Sequence, residues 1–562
     1  MEFEKKRPVS KTGQHILKQR YFHEGESNWE QVADRVTDWV MGTSKNKEEF
    51  REMLRNTYFV PNSPAIVNSG IEKAGLSACF VVDFKDSTEE IIKTKGDFFY
   101  IARKGGGCGT TLSKLRPKDC SVGNSAHKYA GGPIAFADTV SYDMDAITQA
   151  GFRAMAIMFT MSVYHPDIMQ FITAKQDEGK IHNANISVVV DNVFMEKVIN
   201  DEEYQTFFVL KPDTKEEEII YGKKYRAKDV FDMIVEGAWK NGEPGMLFQD
   251  RINDSPYKYT NQEIMATNPC GEQPLPPNGS CNLGALDLSK FIKKDLHMDW
   301  EKLERAVELS VEFLDRVITR SSFPTPEIDK WAKENRPIGL GIMGFADMLL
   351  MKEIAYGSDE SLNLLGRILE RIYAVALETS VERGRRLGIP IECEKLPEPR
   401  RNITLTTIAP TGTTSLIADC SSGIEPIFSE VIVRRDRTGK YTFVNDLSDK
   451  PYFRCAVSSN GAREVTWEEH IAILEMAQRH IDSGVSKTVN FPTMTHRETI
   501  GKAFIRAWRS DCKGLAVYRN GSRKTEVLSP KNIARDKCPL CDTEIITVEN
   551  KKKCPSCEWR EK

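Results

Sequence analysis

Excess positive charge is missing from this sequence. Lys and Arg number 78 against 81 Asp and Glu, a formal net charge of −3, so the chain offers no basic field to nucleic acid. No apolar run reaches membrane-spanning length, and residues 1–20 are charged rather than signal-like, which points to a soluble, cytoplasmic protein. The glycine run over Lys104–Ser113 is neither a Walker loop nor a Rossmann fingerprint. An even cysteine count is missing too: 13 cysteines in 562 residues argue against a secreted disulfide framework and for thiols kept reduced, for chemistry or for metal. That length holds several domains, or one large α/β barrel with an appendage.

The most informative stretch runs from Asn268-Pro269-Cys270-Gly271-Glu272 to Cys281. Pro269, Pro274, Pro276 and Pro277 remove amide donors and exclude a helix, and the polar, broken composition excludes a central strand. A proline-stiffened loop results. If its start is extended, Asn268, Cys270 and Glu272 share one side, giving an amide, a thiol and a carboxylate on a rigid finger. A proline-rich surface loop with an incidental cysteine is the plain alternative.

Elsewhere the pattern alternates. Residues 29–40 read as an amphipathic helix, as do 299–321 and 359–388. Ser77–Phe84 reads as a strand, and so do 281–288 and 402–409. Lys104–Ser113 carries a glycine run that suits a tight turn or a ligand contact. After 402–409 comes Pro410-Thr411-Gly412-Thr413-Thr414-Ser415, hydroxyl-rich and ahead of a helix. It reads as an anion site built from backbone N–H groups, or as an ordinary capped helix start. Beyond a polar, basic linker over 520–537, Cys538-x-x-Cys541 and Cys554-x-x-Cys557 have thiolate-zinc spacing, with a redox dithiol as the competing reading.

Taken together, NPCGEQPLPPNGSCNLG, SACFVVDF, GGGCGTTLSKLRP, RPIGLGIMGFADML, TTIAPTGTTSLIADCSSGIEPIF, VSKTVNFP and CKGLAVYRNGSR resemble ribonucleotide reductase, most closely the adenosylcobalamin-dependent class II catalytic chain. They cover roughly residues 15–526 in family order. The resemblance implies a ten-stranded α/β barrel with a central finger loop over 58–526. A helical N-terminal segment over 1–57 precedes it, and a small zinc-ribbon-like tail over 527–562 follows.

By motif position, Cys270 becomes the thiyl radical that takes the substrate's 3′-hydrogen. Glu272 is general base on the 3′-OH, and Asn268 holds the substrate hydroxyls. Cys79 and Cys281 supply two electrons and end as a disulfide. Asn62, Ser63, Ala78 and Thr411, Gly412, Thr413, Thr414, Ser415 fall in the substrate-binding positions. A water-poor chamber around the radical is the chemical expectation.

The resemblance also implies a dNTP effector with Asp86 on its ribose and Gln149 and Arg153 in the relaying loop. There the sequence departs from the family pattern, with Ala150, Phe152, Ala154 and Met155 in place of glycines and arginines. A thioredoxin or glutaredoxin-like reductant and a homodimer follow from the same source. No RVxGY-like glycine site is seen, and only Tyr518 stands where relatives fed by a separate radical-generating subunit carry two adjacent tyrosines. This favours adenosylcobalamin, with zinc in the tail, over dependence on a second subunit. A silent nucleotide-binding regulator and a zinc-ribbon nucleic-acid binder are the readings from other classes. The five residues Cys79, Asn268, Cys270, Glu272 and Cys281 argue against the first, and the neutral charge against the second.

Overall fold

The computed structural model describes residues 3, 9–122, 129–149, 153–176, 181, 183–210, 218–436, 439–444, 447–458, 463–522, 528–530, 546–548 and 551–553. Ten strands form the main sheet: β1 Phe59–Pro61, β2 Cys79–Val81, β3 Gly107–Thr111, β4 Ile157–Ser162, β5 Ala184–Val190, β6 Gly245–Phe248, β7 Ser280–Asp287, β8 Ile338–Met343, β9 Thr488–Phe491 and β10 Gly514–Arg519. Their order is β1-β7-β2-β3-β4-β5-β6-β10-β9, with β8 on the other edge of β7.

Directions divide the sheet in two. β2, β3, β4, β5 and β6 run parallel to one another, and β7 with β8, and β9 with β10, run parallel within the second group. The groups meet antiparallel at β7–β2 and β6–β10. Closure is made by the buried 402–409 segment. Its Thr406 bridges Leu340 of β8 and its Ile408 bridges Val485, just ahead of β9, both parallel. With this segment, and leaving β1 as an extra strand along β7, the sheet becomes a ring of ten. The expected strand over 402–409 is thus corrected: it is buried over 402–408 and joins each neighbour through a single bridge, supplemented by backbone hydrogen bonds such as Ile338 N to Thr404 O and Ser486 N to Ile408 O.

The ring strands are apolar on both faces because helices cover the outside and the finger fills the inside; all eight residues of β7 are buried. Helix Trp300–Arg320 starts on an Asp299 cap and lays Leu303, Val307, Leu314 and Val317 on the sheet. Helix Asp359–Leu387 starts on a Ser358 cap and packs against it. Three N-terminal helices, Lys11–Arg20, Trp29–Met41 and Lys47–Arg55, share this core. Phe50 of the third stacks on Phe313 at 4.6 Å and meets Phe59 of β1 edge-on.

One other expectation shifts. Part of the linker expected over 520–537 is a strand: Leu528–Pro530 pairs with Val431–Asp436. Cys538, Cys541, Cys554 and Cys557 lie outside the described residues. Among the described residues no group of three metal-ligating side chains converges, and no helix is long and apolar enough to cross a membrane.

Candidate active site

The finger enters the ring as a short hairpin, Ala266–Thr267 paired with Pro274–Leu275. Its passage depends on glycine. A Cβ on Gly109 of β3 would stand 1.7 Å from the Thr267 carbonyl oxygen, and one on Gly484 2.6 Å from the Gly271 oxygen. The glycine run that looked like a turn is therefore mostly strand, bare where the finger passes. Asn185 Nδ2 donates to the Pro269 oxygen at 2.9 Å. On the opposite side, Gly484 N at 2.8 Å and Thr407 Oγ1 at 2.9 Å donate to the Glu272 oxygen.

The tip turns rather than extends. Gly271 has φ +81° and its N–H donates to the Asn268 oxygen. The period-2 expectation for Asn268, Cys270 and Glu272 is corrected accordingly: Asn268 and Glu272 are buried inward while Cys270 faces out and is exposed. Asn268 is pinned by its Oδ1, which accepts from Gln273 N at 2.9 Å.

β2 and β7 place Cys79 directly opposite Cys281 in antiparallel register. Opposite residues of such a pair present their side chains on one face about 4.5–5.5 Å apart at Cβ, within reach of a disulfide after small adjustment. Both are buried and both are free thiols. Asn268 Nδ2 donates to Cys79 Sγ at 3.1 Å, and the Cys79 thiol lies 3.7 Å from Glu272 Oε1. Burial raises the Cys79 thiol well above its ordinary range, with the nearby Glu272 carboxylate adding to it. Cys281 is raised by the same two causes in the same order. Both therefore stay protonated at neutral pH, holding S–H bonds rather than thiolates.

Cys270 opens onto a cleft of about 980 Å³ whose wall includes Asn185, Gly412, Ser415, Glu425, Lys487 and Tyr518. The side chains around the sulfur pair are buried, as the expected water-poor site requires, whereas Cys270 is exposed to the cleft. Lys513, also on this wall, is buried and lowered to about 8 by burial, against the pull of Asp482.

In the hydroxyl-rich turn, Gly412 is exposed to the cleft and Ser415 lines it from a buried position. Thr411 is committed inward: its Oγ1 accepts from Gly423 N at 2.9 Å. Thr413 precedes, and Thr414 opens, a helix of five residues. Ser63 is half-buried at the start of another short helix, 2.8 Å from the Tyr21 hydroxyl, and Asn62 caps that helix through Ala65 N. Ala78, half-buried beside Cys79, accepts from Gly107 N. These three are not on the wall of the cleft.

Asp86 is held by Arg116, whose backbone N–H and Nε donate to its two oxygens at 3.1 and 2.8 Å. The backbones of Gln149 and Arg153 pair in a small hairpin; their side chains are outside the described residues. Sequence reasoning missed Gly109, Gly484, Thr407 and Asn185 as the residues that clamp the finger. The glycine runs were visible, but not what passes them.

The fold is a closed ring of two antiparallel half-barrels, threaded by a cysteine-tipped loop beside a buried cysteine pair. The family model described as ribonucleotide reductase, barrel domain, matches residues 77–393 and 397–518, and the chain belongs to the ribonucleotide reductase family. It is 37% identical over 582 residues to a vitamin B12-dependent ribonucleoside-diphosphate reductase of Thermoplasma acidophilum, covering 97% of this chain and 74% of that one. It is 34% identical over 535 residues to the protein of the same name from Mycobacterium tuberculosis, covering 89% and 75%. The class Id ribonucleotide reductase alpha subunit of Actinobacillus ureae shares the fold with TM-score 0.75 at 20% identity, over 92% of this chain and 99% of that one.

Proposed function

We propose that this chain reduces ribonucleotides to 2′-deoxyribonucleotides with adenosylcobalamin as its radical source. The observation that carries the reading is the register of Cys79 on Cys281 with Asn268 and Glu272 gathered at one sulfur and Cys270 of the same loop near enough to act electrostatically on Cys79. The balance is simple: the substrate loses its 2′-hydroxyl as water and gains hydrogen, while two S–H groups give two electrons and two protons and become one S–S bond. Cys79 and Cys281 are the protonated, adjacent pair this needs. Asn268 holds the ribose hydroxyls, Glu272 takes the 3′-OH proton as general base, and Cys270 removes and returns the 3′-hydrogen as a thiyl. Ser63 and the Thr411–Ser415 turn (Gly412, Thr413 and Thr414 included) hold the phosphates, and Asn62 and Ala78 are further substrate-binding positions. Substrates are diphosphates, supported by the names of the two relatives.

The cleft fits adenosylcobalamin. It is large, it reaches Cys270, Leu247, Leu515 and Val517 give it an apolar side, and Ser421, Ser422 and Ser486 give it polar groups. Its described lining contains no histidine, so the chain brings no cobalt ligand of its own there. When bound, this cofactor supplies one oxidising equivalent by homolysis of its cobalt–carbon bond.

A homodimer is part of the proposal. Ile92, Phe99 and Tyr100 on helix Thr88–Lys104 and Tyr142 on helix Pro133–Asp145 are exposed, an apolar face suited to a second copy. A dNTP effector near Asp86, Gln149 and Arg153, a thioredoxin or glutaredoxin-like reductant and a cytoplasmic location complete it. One zinc on Cys538, Cys541, Cys554 and Cys557 rests on spacing alone, and elemental analysis decides it. The test of the function is an anaerobic assay of each ribonucleotide with a dithiol reductant. Product is expected with adenosylcobalamin and no second protein, and none without it. Turnover that requires a second subunit and ignores the cofactor overturns the cobalamin assignment.

A further inference from the structure

Glu425 stands on the wall of the cleft that holds Cys270, and the chemistry assigned above gives it no task. Its side chain is 29% exposed. Oε2 is 2.6 Å from Lys487 Nζ and Oε1 accepts from Thr488 N at 2.7 Å. The lysine behind it is fully enclosed, with side-chain exposure of 0%. The Lys487 ammonium lies 5.6 Å from the centre of the Tyr356 ring, whose hydroxyl donates to the Ile424 oxygen. His470, fully buried, meets the same ring edge-on and has no hydrogen-bond partner on either nitrogen among the described residues. Burial lowers both Lys487 and His470, so His470 stays neutral and Glu425 is the carboxylate paired with Lys487.

A buried ammonium with one carboxylate is costly to assemble. A purely structural brace between the 420s loop and the strand at 485–491 needs no charge. What the charge secures is an ionised carboxylate at a fixed place on the cleft wall. Each of its oxygens is anchored once from behind, and each keeps acceptor capacity toward the cleft. Such a group repels phosphate and accepts from hydroxyls. Two carboxylate oxygens side by side match the two donors of a vicinal diol, the way acidic side chains read nucleoside ribose elsewhere.

Two nucleosides come to this cleft under the proposed function, on which this step rests: the substrate and the adenosyl group of the cofactor. The substrate's diol already has Asn268 and Glu272. We infer that Glu425, positioned by Lys487 and the Thr488 amide, binds the ribose diol of the adenosyl group. The Glu425–Lys487 pair would thus select adenosylcobalamin over cobalamins that lack a nucleoside on the upper face.

The test is equilibrium binding to the full chain by titration calorimetry, with no turnover required. Three cobalamin probes are used: adenosylcobalamin, its 2′,3′-dideoxyadenosyl analogue and methylcobalamin. A ribonucleoside diphosphate is titrated alongside. On the wild-type chain the dideoxy analogue is expected to bind roughly tenfold more weakly than adenosylcobalamin, the loss of a charge-assisted hydrogen bond. Glu425→Gln is expected to weaken adenosylcobalamin by a similar factor and to leave methylcobalamin and the diphosphate unchanged. Equal affinity of the wild-type chain for adenosylcobalamin and the dideoxy analogue overturns the inference, and needs no variant to fold. An equal loss for methylcobalamin in Glu425→Gln, or a loss confined to the diphosphate, also overturns it. Failure of the wild-type chain to bind any cobalamin overturns the cofactor reading itself, a result distinct from these.

Discussion

The two sides of the finger differ in how finished they are. Behind it, Cys79, Cys281, Asn268 and Glu272 are buried, and Asn268 and Glu272 are linked to the Cys79 sulfur by hydrogen bonds. In front of it, Cys270 faces a cleft of about 980 Å³. Under the proposed function, the electron-donating pair sits among buried neighbours and the radical-carrying Cys270 at the open cleft, so substitutions at each are expected to fail in different ways.

The largest effect is expected in front. Cys270→Ser should abolish deoxynucleotide formation while diphosphate affinity, measured by calorimetry, stays within a few-fold of wild type. Retained turnover would place the radical elsewhere. Behind, Glu272→Gln should lower kcat by roughly 10²–10⁴-fold, the range for a lost general base, with little change in KM. A change confined to KM would make Glu272 a binding group only.

The clamp itself gives the next effect. Gly109→Ala drives a methyl into the Thr267 backbone, so it should cost about 1–3 kcal/mol in denaturant unfolding, as overpacking does, and depress activity further by displacing the finger. Gly96 is the contrast: it lies within helix Thr88–Lys104, where an added Cβ meets nothing within 4 Å. Gly96→Ala should stabilise the single chain by about 0.5–1 kcal/mol, without displacing the finger. Equal effects at the two glycines would mean that Gly109 does not gate the finger.

The smallest effect is in pH dependence. The folded Cys79 and Cys281 thiols lie above the unfolded value of about 8.5. Their contribution to stability is complete below that value and is lost as pH rises above it, because unfolded thiols ionise first. Thermal melts should therefore fall less steeply from pH 8 to 10 in Cys79→Ala/Cys281→Ala than in wild type. At pH 8, iodoacetamide should modify Cys270 well ahead of either.

Helices 300–320 and 359–387 were legible within a residue or two, because their apolar faces recur at helical spacing. The finger was legible as a proline-braced loop, but its direction was not. Gly271 turns the tip, and nothing in a period-2 pattern shows a residue with positive φ. Segment 402–409 has strand composition, yet its pairing is set by partners some 65 to 80 residues away. The same holds for Gly109, whose reason is a carbonyl about 160 positions along the chain. Local signals gave the elements, and long-range contacts decided what each one does.

The central claim is that the two sulfurs behind the finger are the electron source while the one in front is not. Reduced protein mixed anaerobically with adenosylcobalamin and a ribonucleoside diphosphate, without external reductant, should yield about one deoxynucleotide per chain. Peptide mass mapping should then find Cys79 joined to Cys281 and Cys270 free. Product formation with Cys79 and Cys281 still reduced, or a disulfide that includes Cys270, would contradict the account.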